Sequence, residues 1–368
     1  MTEAYSLRTA AAAEIAAPDL PYRPPMPQGR RLPIALIGAG GIAPAHLEAY
    51  ARAGFDVRVI ANRTLARAVA RRDAFFPGAE ATDDIAGTLA RTDIAVADIT
   101  PHPAERVAMI EAALDHGKHV LSQKPFVLDL DTGARLADLA EARGVMLAVN
   151  QNGRWAPHFA WMREAVQAGL IGEVQSVHLS VHWDHSWIAG TAFEQIDDLV
   201  LYDFGIHWFD FLASLIGGGA SSVYATRARA AGQAVTPPFL SQALVAFPGG
   251  QGALLFDAAT RFGPMDRTVI TGSKGTLASH GPDLGQQQVT LATEAGIARP
   301  VLEGQWFNDG FAGTMGALLR AIETGTPPIH DARRNLDSLA LAFAAIASSR
   351  RGVAIAPGAV RSLAAAMA

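Results

Sequence analysis

The stretch that decides the fold lies at residues 34–43 and reads IALIGAGGIA. Its first four residues are apolar, as in a strand buried inside a sheet, and the glycines that follow stand where a helix begins. Glycines at this position allow backbone N–H groups to approach a pyrophosphate at the N-terminus of the helix. The pattern G-x-G-x-x-A therefore predicts a dinucleotide-binding loop made of Gly38, Gly40, Gly41, Ile42 and Ala43.

Short β-prone runs and helical segments alternate after this loop. The predicted strands are residues 34–37, 57–61, 94–99, 119–121 and 146–149, and the predicted helices between them end at Gly54, Gly117 and Gly144. Such alternation is typical of βαβ units and of a doubly wound parallel sheet. We therefore predict an α/β protein whose residues 32–150 form an NAD(P)-binding Rossmann domain.

The pattern changes after residue 150. Residues 174–183 alternate in polarity, with Val177, Leu179 and Val181 on one face and serines and histidines on the other. Turns with hairpin character recur, so this part is predicted to be an α/β domain with a large, open, mainly antiparallel sheet. We assign residues 151–368 to substrate binding and oligomerisation, with a C-terminal helix that can pack back onto the first domain.

Composition excludes several classes of protein. Half of the 368 residues are hydrophobic and 18% are charged, which suits a two-domain globular chain rather than a disordered or fibrous one. The net charge of -5 provides no basic field for nucleic acid, and no apolar run reaches the roughly 18 to 20 residues of a membrane span. The absence of cysteine fits a reducing cytoplasm, which is the expected location. Residues 1–31 are predicted to form an extended N-terminal arm, with a flexible tail as the alternative.

The end of the second predicted strand bears on the choice of dinucleotide. An acid there usually binds the adenosine ribose, but this chain has Asn62 followed by Arg63. Arg63 can pair with a 2′-phosphate, which slightly favours NADP, whereas Asn62 can equally bind the free 2′-hydroxyl of NAD. Thr100, Pro101 and His102 follow the third strand and are predicted to border the cofactor, although a plain helix start explains them as well.

Three further segments carry a family resemblance: residues 117–125, GKHVLSQKP; residues 150–155, NQNGRW; and residues 203–210, DFGIHWFD. Together with the glycine loop they resemble the family of glucose–fructose oxidoreductase, inositol dehydrogenase and MocA proteins, from about Leu32 to the C-terminus. The resemblance implies an NAD(P)-dependent dehydrogenase or reductase that acts on CH–OH groups of a sugar, polyol or inositol-like substrate held between two domains. It also implies a homodimer or homotetramer formed through the open face of the second sheet.

The resemblance further implies catalytic roles for Lys124, Asp203 and His207. The family's Glu-Lys-Pro element matches Lys124, and its Asp-x-x-x-His element matches Asp203 and His207. The chain departs from the pattern at Gln123, which replaces the usual glutamate and leaves open how Lys124 is oriented. Gln123, Lys124 and Asn150, which lie in these segments, are predicted cofactor contacts.

The chemistry of alcohol oxidation suits this trio. The reaction needs a group that removes the hydroxyl proton and a positive group that stabilises alkoxide character. We assign His207 as the base and Lys124 as the electrostatic and proton-transfer partner, although the two roles can be exchanged. Asp203 and His207 are spaced i and i+4, which on a helix lets the carboxylate orient the imidazole. The alternative for His207 is a core histidine satisfied by Asp203.

A second polar and aromatic set is predicted to contact substrate hydroxyls and C–H faces, with interface or core roles equally open. With the catalytic trio, the predicted substrate-binding residues are Lys124, Asn152, Arg154, Trp155, His158, His182, Asp184, His185, Trp187, Asp203 and His207. Trp306, Asn308 and Asp309 are weaker candidates. The spacing of His182, Asp184 and His185 would suit a metal, but no complete ligand set is evident, so none is predicted.

Two other functions share these features. One is an NAD-dependent glycoside hydrolase that oxidises the sugar transiently and shows no net cofactor turnover. The other is a non-catalytic, dinucleotide-sensing protein, against which the polar trio argues.

Overall fold

A parallel sheet forms the N-terminal part of the computed structural model, which describes residues 12–29 and 31–368. Its strands are β1 Ile34–Ile37, β2 Val57–Ala61, β3 Glu80–Thr82, β4 Val96–Ile99, β5 His119–Gln123 and β6 Leu147–Asn150. They lie side by side in the order β3-β2-β1-β4-β5-β6. The strand order reverses between β1 and β4, so the helices that follow these two strands lie on opposite faces of the sheet. The carboxyl ends of β1 and β4 therefore open a crevice for a ligand. The predicted doubly wound sheet is confirmed.

Five helices connect these strands: α1 Ala43–Ala53, α2 Leu65–Phe75, α3 Ile85–Ala90, α4 Pro103–Asp115 and α5 Leu130–Ala142. As predicted, Gly54 ends α1 with a left-handed backbone (φ 69°). Strand β3 and helices α2 and α3 were not predicted. The reason is that β3 has only three residues and α2 buries only Ala68, so neither shows the apolar periodicity of a core element.

The second sheet is mainly antiparallel. Its strands are β7 Val174–His182, β8 Ser222–Ala228, β9 Leu240–Phe247, β10 Gly250–Asp257, β11 Met265–Gly272, β12 Gly275–Gly281, β13 Gln288–Thr293 and β14 Gly296–Ala298. They follow the order β14-β13-β12-β11-β7-β10-β9-β8, in which only the β7–β10 pair is parallel. Val177, Leu179 and Val181 are buried as predicted. On the outer face, Tyr224 and Leu244 oppose each other and remain 43% and 58% exposed.

The helices of the C-terminal part are α6 Pro157–Gln167, α7 Ile206–Ile216, α8 Asp309–Thr324, α9 Ala332–Arg351 and α10 Leu363–Met367. Helix α8 returns to the first sheet, where Phe311 and Met315 join the core of Ile34 and Leu47. It therefore forms one wall of the seam between the two sheets. Among the described residues, no helix is both long and apolar enough to cross a membrane.

The described part of the N-terminal arm packs against the C-terminal part of the same chain. Glu14 forms a parallel bridge with Ile297 at the edge of the second sheet. Further on, the Tyr22 hydroxyl accepts a hydrogen bond from the backbone N–H of Glu303 at 3.0 Å, and the N–H of Gly29 donates to the Glu323 carboxylate at 2.6 Å. Residues 1–11 and Arg30 of the predicted arm lie outside the described residues.

Candidate active site

The glycine loop between β1 and α1 has two distinct parts. Gly38 has φ 101°, and a Cβ there would lie 2.5 Å from Thr100 Oγ1 and 3.0 Å from Pro101 Cδ, so only glycine fits. A Cβ on Gly40 or Gly41 would meet nothing within 4 Å. The first position is therefore fixed by its protein neighbours, whereas the next two glycines border open space.

That open space lies at the N-terminus of α1. The residue before the helix is Ile42, which provides no side-chain cap, and the first turn carries no acidic residue. The first N–H groups of a helix need a partner, and the helix dipole makes an anion a favourable one. Ala43 is fully buried, which lets the helix approach the sheet closely. The loop thus has the donors and the clearance that a dinucleotide pyrophosphate requires.

The neighbouring strand end holds the loop through Asn62. Its Oδ1 accepts from the N–H of Ala39 at 2.9 Å, and its Nδ2 donates to the carbonyl of Thr64 at 3.0 Å. Arg63 is 74% exposed and forms an ion pair with Glu105 at 2.8 Å. Glu105 was not predicted as part of this region, and it adds a negative charge where the sequence had indicated a positive one.

The residues after β4 lie next to the same loop. The Thr100 hydroxyl donates to the carbonyls of Ile37 and Gly38 at 3.1 and 3.0 Å, and Pro101 packs against Gly38. His102 is exposed immediately before α4. Thr100 and Pro101 therefore support the glycine loop directly, while His102 lies at its outer edge.

Lys124 and Asp203 meet across the seam between the domains. Lys124 follows β5, and Asp203 lies in a single π-helical turn, Val200–Phe204, just before α7. The Lys124 ammonium donates to the backbone carbonyl of Asp203 at 2.9 Å and to its carboxylate at 3.1 Å. Both side chains are largely buried, at 17% and 13% exposed. This ion pair brings the predicted lysine and aspartate together.

His207 lies beside this pair but does not bond to Asp203, which corrects the predicted carboxylate–imidazole contact. The physical reason is charge: burial and the Lys124 ammonium hold the pKa of His207 well below its ordinary value, so the imidazole is neutral. The carboxylate of Asp203 therefore pairs with the cation instead. In the described residues His207 Nδ1 is buried without a partner, close to Gly153, and the ring packs edge-on against Trp306 at 5.1 Å.

A buried polar network supports Lys124 from behind. Gln123 Oε1 accepts from the N–H of Lys124 at 2.6 Å, and Gln123 Nε2 lies 3.1 Å from His46 Nε2. The opposite nitrogen of His46 lies 2.7 Å from the carboxylate of Asp98, and Asn150 Nδ2 lies 3.2 Å from His46 Nε2. Gln123 and Asn150 were predicted to contact the cofactor. Their side chains instead bond to protein neighbours, Gln123 to Lys124 and His46 and Asn150 to His46.

A cavity of about 750 Å³ opens at this point between the two domains. Most of the residues that were predicted to bind substrate line it. The predicted residues that line it are Ile42, Gln123, Lys124, Asn152, Asp184, His185, Trp187, Asp203, His207 and Trp306. Asn152 accepts a hydrogen bond from the indole N–H of Trp306 at 3.0 Å, so these two are held together.

Arg154, a predicted substrate contact, does not reach the cavity. Its guanidinium forms a two-bonded ion pair with Asp210 at 2.6 and 2.8 Å, and their side chains are only 6% and 2% exposed. The Ser338 hydroxyl donates to the same carboxylate at 2.7 Å. The arginine is turned inward because Asp210 offers a buried counter-charge that fits its planar fork.

Three other predicted substrate contacts also lie elsewhere. Trp155 is buried with its ring against the Arg163 guanidinium. His158 lines a separate cavity of about 350 Å³. His182 is on the outer face of β7, 2.8 Å from Ser180 Oγ, because its place in the strand alternates with the buried residues.

Asn308 and Asp309, the weaker candidates, lie at the start of α8. Asn308 donates to Glu48 at 3.3 Å, and Asp309 accepts from the N–H of Gln305 at 2.6 Å. Within the described ranges, no three His, Asp or Glu side chains lie close enough together to hold a metal ion.

Sequence reasoning missed the aromatic part of the cavity. The lining residues that were not predicted include Trp183, Phe193, Phe204, Trp208, Phe256, Arg261, Phe307 and Phe311. One signal was present: residues 183–209 contain seven aromatic residues in 27 positions, against 7% for the whole chain. The rings have no helical or strand period, so the pattern analysis had no basis for placing them on one wall.

Comparison with known proteins matches both halves of the chain to one group. Residues 32–151 match the oxidoreductase family with an NAD-binding Rossmann fold, and residues 159–278 match the GFO/IDH/MocA C-terminal domain. An inositol 2-dehydrogenase of Rhizobium meliloti is 28% identical over 338 residues, which cover 87% of this chain and 98% of that protein. A myo-inositol dehydrogenase of Streptomyces leeuwenhoekii is 30% identical over 288 residues, covering 72% and 80%.

The architecture is shared with solved structures as well. A crystal structure of a putative myo-inositol dehydrogenase from Sinorhizobium meliloti superposes with a TM-score of 0.75 at 26% identity. The match covers 89% of this chain and 100% of that one. The overall fold of this chain is thus shared with that structure.

Proposed function

Because the chain belongs to the GFO/IDH/MocA family of NAD-binding oxidoreductases, we propose that it transfers a hydride between a nicotinamide dinucleotide and a ring hydroxyl of a sugar or inositol-like substrate. The observation that carries the proposal is the meeting of Lys124, from the first domain, with Asp203 and His207, from the second, at one cavity wall. Two relatives named as inositol dehydrogenases support the substrate class.

We assign proton removal to His207. Its pKa is lowered by burial and by the charge of Lys124, so the imidazole is neutral at pH 7 and can accept a proton. Nδ1 is buried near Gly153, so the proton of the substrate hydroxyl goes to Nε2. In the reverse direction the same nitrogen returns the proton to the carbonyl oxygen.

Lys124 stabilises the developing negative charge on the substrate oxygen. An ammonium has three donors, and two of those of Lys124 are used by Asp203. The third is available to the substrate oxygen, where a fixed positive charge favours alkoxide character. Asp203 positions Lys124, and Gln123 holds the backbone N–H of the same lysine. When bound, the nicotinamide ring supplies the hydride acceptor or donor.

For the dinucleotide itself we propose NAD rather than NADP, which reverses the slight preference drawn from Arg63. Glu105 already pairs with Arg63, and its carboxylate would repel a 2′-phosphate. The Glu105→Gln variant should therefore gain activity with NADP while activity with NAD stays unchanged. Initial rates with both nucleotides measure this. An unchanged NADP rate, or an equal gain with both nucleotides, would refute the role of Glu105.

The proposed activity is tested with a panel of inositols, aldoses and methyl glycosides in the presence of NAD. Net formation of NADH, followed by absorbance, is the expected result for at least one free cyclic polyol or sugar. Glycoside cleavage without net NADH would instead support the transient-oxidation hydrolase. Measurable NAD affinity with neither reaction would refute the catalytic proposal.

A further inference from the structure

One side of the cavity is built from aromatic rings rather than polar groups. His185, Trp187, Phe193 and Phe204, the aromatic wall, are all in mutual contact through Phe204, at centroid distances of 4.4, 6.1 and 6.0 Å. Phe204 follows Asp203 directly in the chain, so the wall begins beside the proposed catalytic centre. The cavity therefore has a polar end, where the reaction is proposed to occur, and an apolar side that continues away from it.

The packing of the core explains only part of the aromatic wall, because Phe193 and Phe204 pack against the core whereas Trp187 does not. Trp187 is 55% exposed, and one more large aromatic in the cavity lining, Phe307, is 56% exposed. Exposed rings that cluster in one place usually mark a binding surface. Four of the six tryptophans of the chain line this cavity, so the concentration is not an average property of the surface.

The chemistry of the wall limits what can bind there. His185 is its one titratable member, and burial lowers the pKa of His185 to about 4, so the ring is uncharged at pH 7. Four carboxylates line the cavity, those of Asp184, Asp203, Asp257 and Asp283, against two cations, Lys124 and Arg261. This excess of negative charge disfavours phosphate or another anion. The rings of the wall present mainly carbon faces, so an apolar or aromatic part of a ligand packs against them more favourably than a polar one.

The cavity of about 750 Å³ must admit the nicotinamide as well as the substrate, because the predicted cofactor contacts Ile42, Gln123 and Lys124 line it. Its volume lies within the range of about 300 to 1,000 Å³ of ligand sites, and the aromatic wall is the part contributed by the second domain. We propose that the substrate is a neutral glycoside or similarly substituted ring, whose flat, apolar or aromatic substituent lies against the aromatic wall. This inference rests on the proposed function for the hydroxylated ring, and it adds a specificity site for the substituent.

The test compares matched phenyl and methyl β-D-glycosides of glucose, galactose and xylose. Binding to the NAD-loaded protein is measured by titration calorimetry, independently of turnover. We expect at least one phenyl glycoside to bind about 10-fold more tightly than its methyl counterpart, which corresponds to about 1.4 kcal/mol. Trp187→Ala should reduce this phenyl-to-methyl ratio to near 1. Tyr224→Ala, which removes an exposed aromatic ring from the outer sheet face, is the matched control and should preserve the ratio.

Each outcome decides the inference separately from the proposed function. Equal affinity for phenyl and methyl glycosides, no binding of either, or a ratio that survives both Trp187→Ala and Phe193→Ala would overturn the aromatic specificity site. A phenyl preference that depends on Trp187, without NADH formation from any glycoside, would retain the site and refute the dehydrogenase. Thermal melting of each variant verifies that the side chain was removed without unfolding.

Discussion

Replacing Arg154 tests whether its side chain contacts the substrate or serves only in a structural ion pair. The Arg154→Met variant leaves the Asp210 carboxylate, whose side chain is 2% exposed, without its counter-charge. Removing one partner of such a buried pair costs about 3 to 5 kcal/mol. Replacing both partners, as in Arg154→Met with Asp210→Leu, removes the unpaired charge and should restore most of the stability.

The expected change in melting temperature follows from the size of the chain. With an unfolding entropy of about 2.1 cal/mol/K per residue and 368 residues, a loss of about 3 to 5 kcal/mol lowers the melting temperature by about 4 to 6 °C if the chain unfolds as one unit. Arg333→Met is the matched control, because Arg333 is 45% exposed and pairs only with surface carboxylates. Its removal should cost less than about 1 kcal/mol.

Differential scanning calorimetry of the three variants, together with steady-state kinetics, distinguishes the two roles. We expect Arg154→Met to melt lower than the parent and to keep its substrate KM where it remains folded. A variant that melts within 1 °C of the parent but has a raised KM would refute the structural role, and Arg154 would then contact substrate as the sequence had predicted.

Two further predictions concern the glycine loop and acid stability. Gly40→Ala should keep the fold, because its Cβ meets no protein atom, yet weaken NAD binding in calorimetry; Gly38→Ala should lower the melting temperature because of φ 101° and the Thr100 contact, and the reverse ranking would contradict this account. Burial lowers the pKa of His158 and His330 to about 3. Below pH 6.5 these histidines therefore bind protons in the unfolded chain but not in the folded chain. The stability that is present above pH 6.5 is lost as the pH falls towards 3. At pH 4.5 the loss is about 3 kcal/mol of unfolding free energy for each histidine. In urea titrations His158→Phe should therefore lose about 3 kcal/mol less than the parent as the pH falls from neutral to 4.5. The same dependence of unfolding free energy on pH in both proteins would show that His158 is not buried in its neutral form.

The fold was predictable because its evidence is local. The strand, glycine turn and start of the helix at residues 34–43 follow one another directly in the chain. The alternation of strands and helices after them predicted the parallel sheet, in which β1 lies next to β4. The short edge strand β3 escaped because three partly exposed residues carry no periodic signal. The sequence analysis expected that a C-terminal helix can pack onto the first domain, but the sequence of α8 does not indicate which sheet its apolar side contacts.

The candidate site was predictable to the extent that its residues lie at strand ends or in a compact motif. Lys124 and Asp203 meet across 79 positions of the chain, and the family resemblance pointed to both. The partners of individual side chains could not be predicted from the sequence. Arg154 bonds to Asp210, 56 positions away, and Asp203 pairs with Lys124 rather than with nearby His207. Such choices depend on which buried charge is nearest in space.

The central claim is that Lys124 and His207 act on the substrate. Lys124 was also a predicted cofactor contact, but its ammonium is held by Asp203 of the second domain, so replacing either side chain should leave NAD binding unaffected. The most direct measurement is the single-turnover rate of NADH formation in Lys124→Met and His207→Asn, with the NAD dissociation constant determined by calorimetry on the same samples. Lys274→Met, in a hairpin turn of the second sheet, serves as the control. We predict that each site variant loses about 10² to 10⁴ in rate while binding NAD like the parent. A site variant that turns over at the parent rate, or that loses NAD binding in proportion to its rate, would contradict the account.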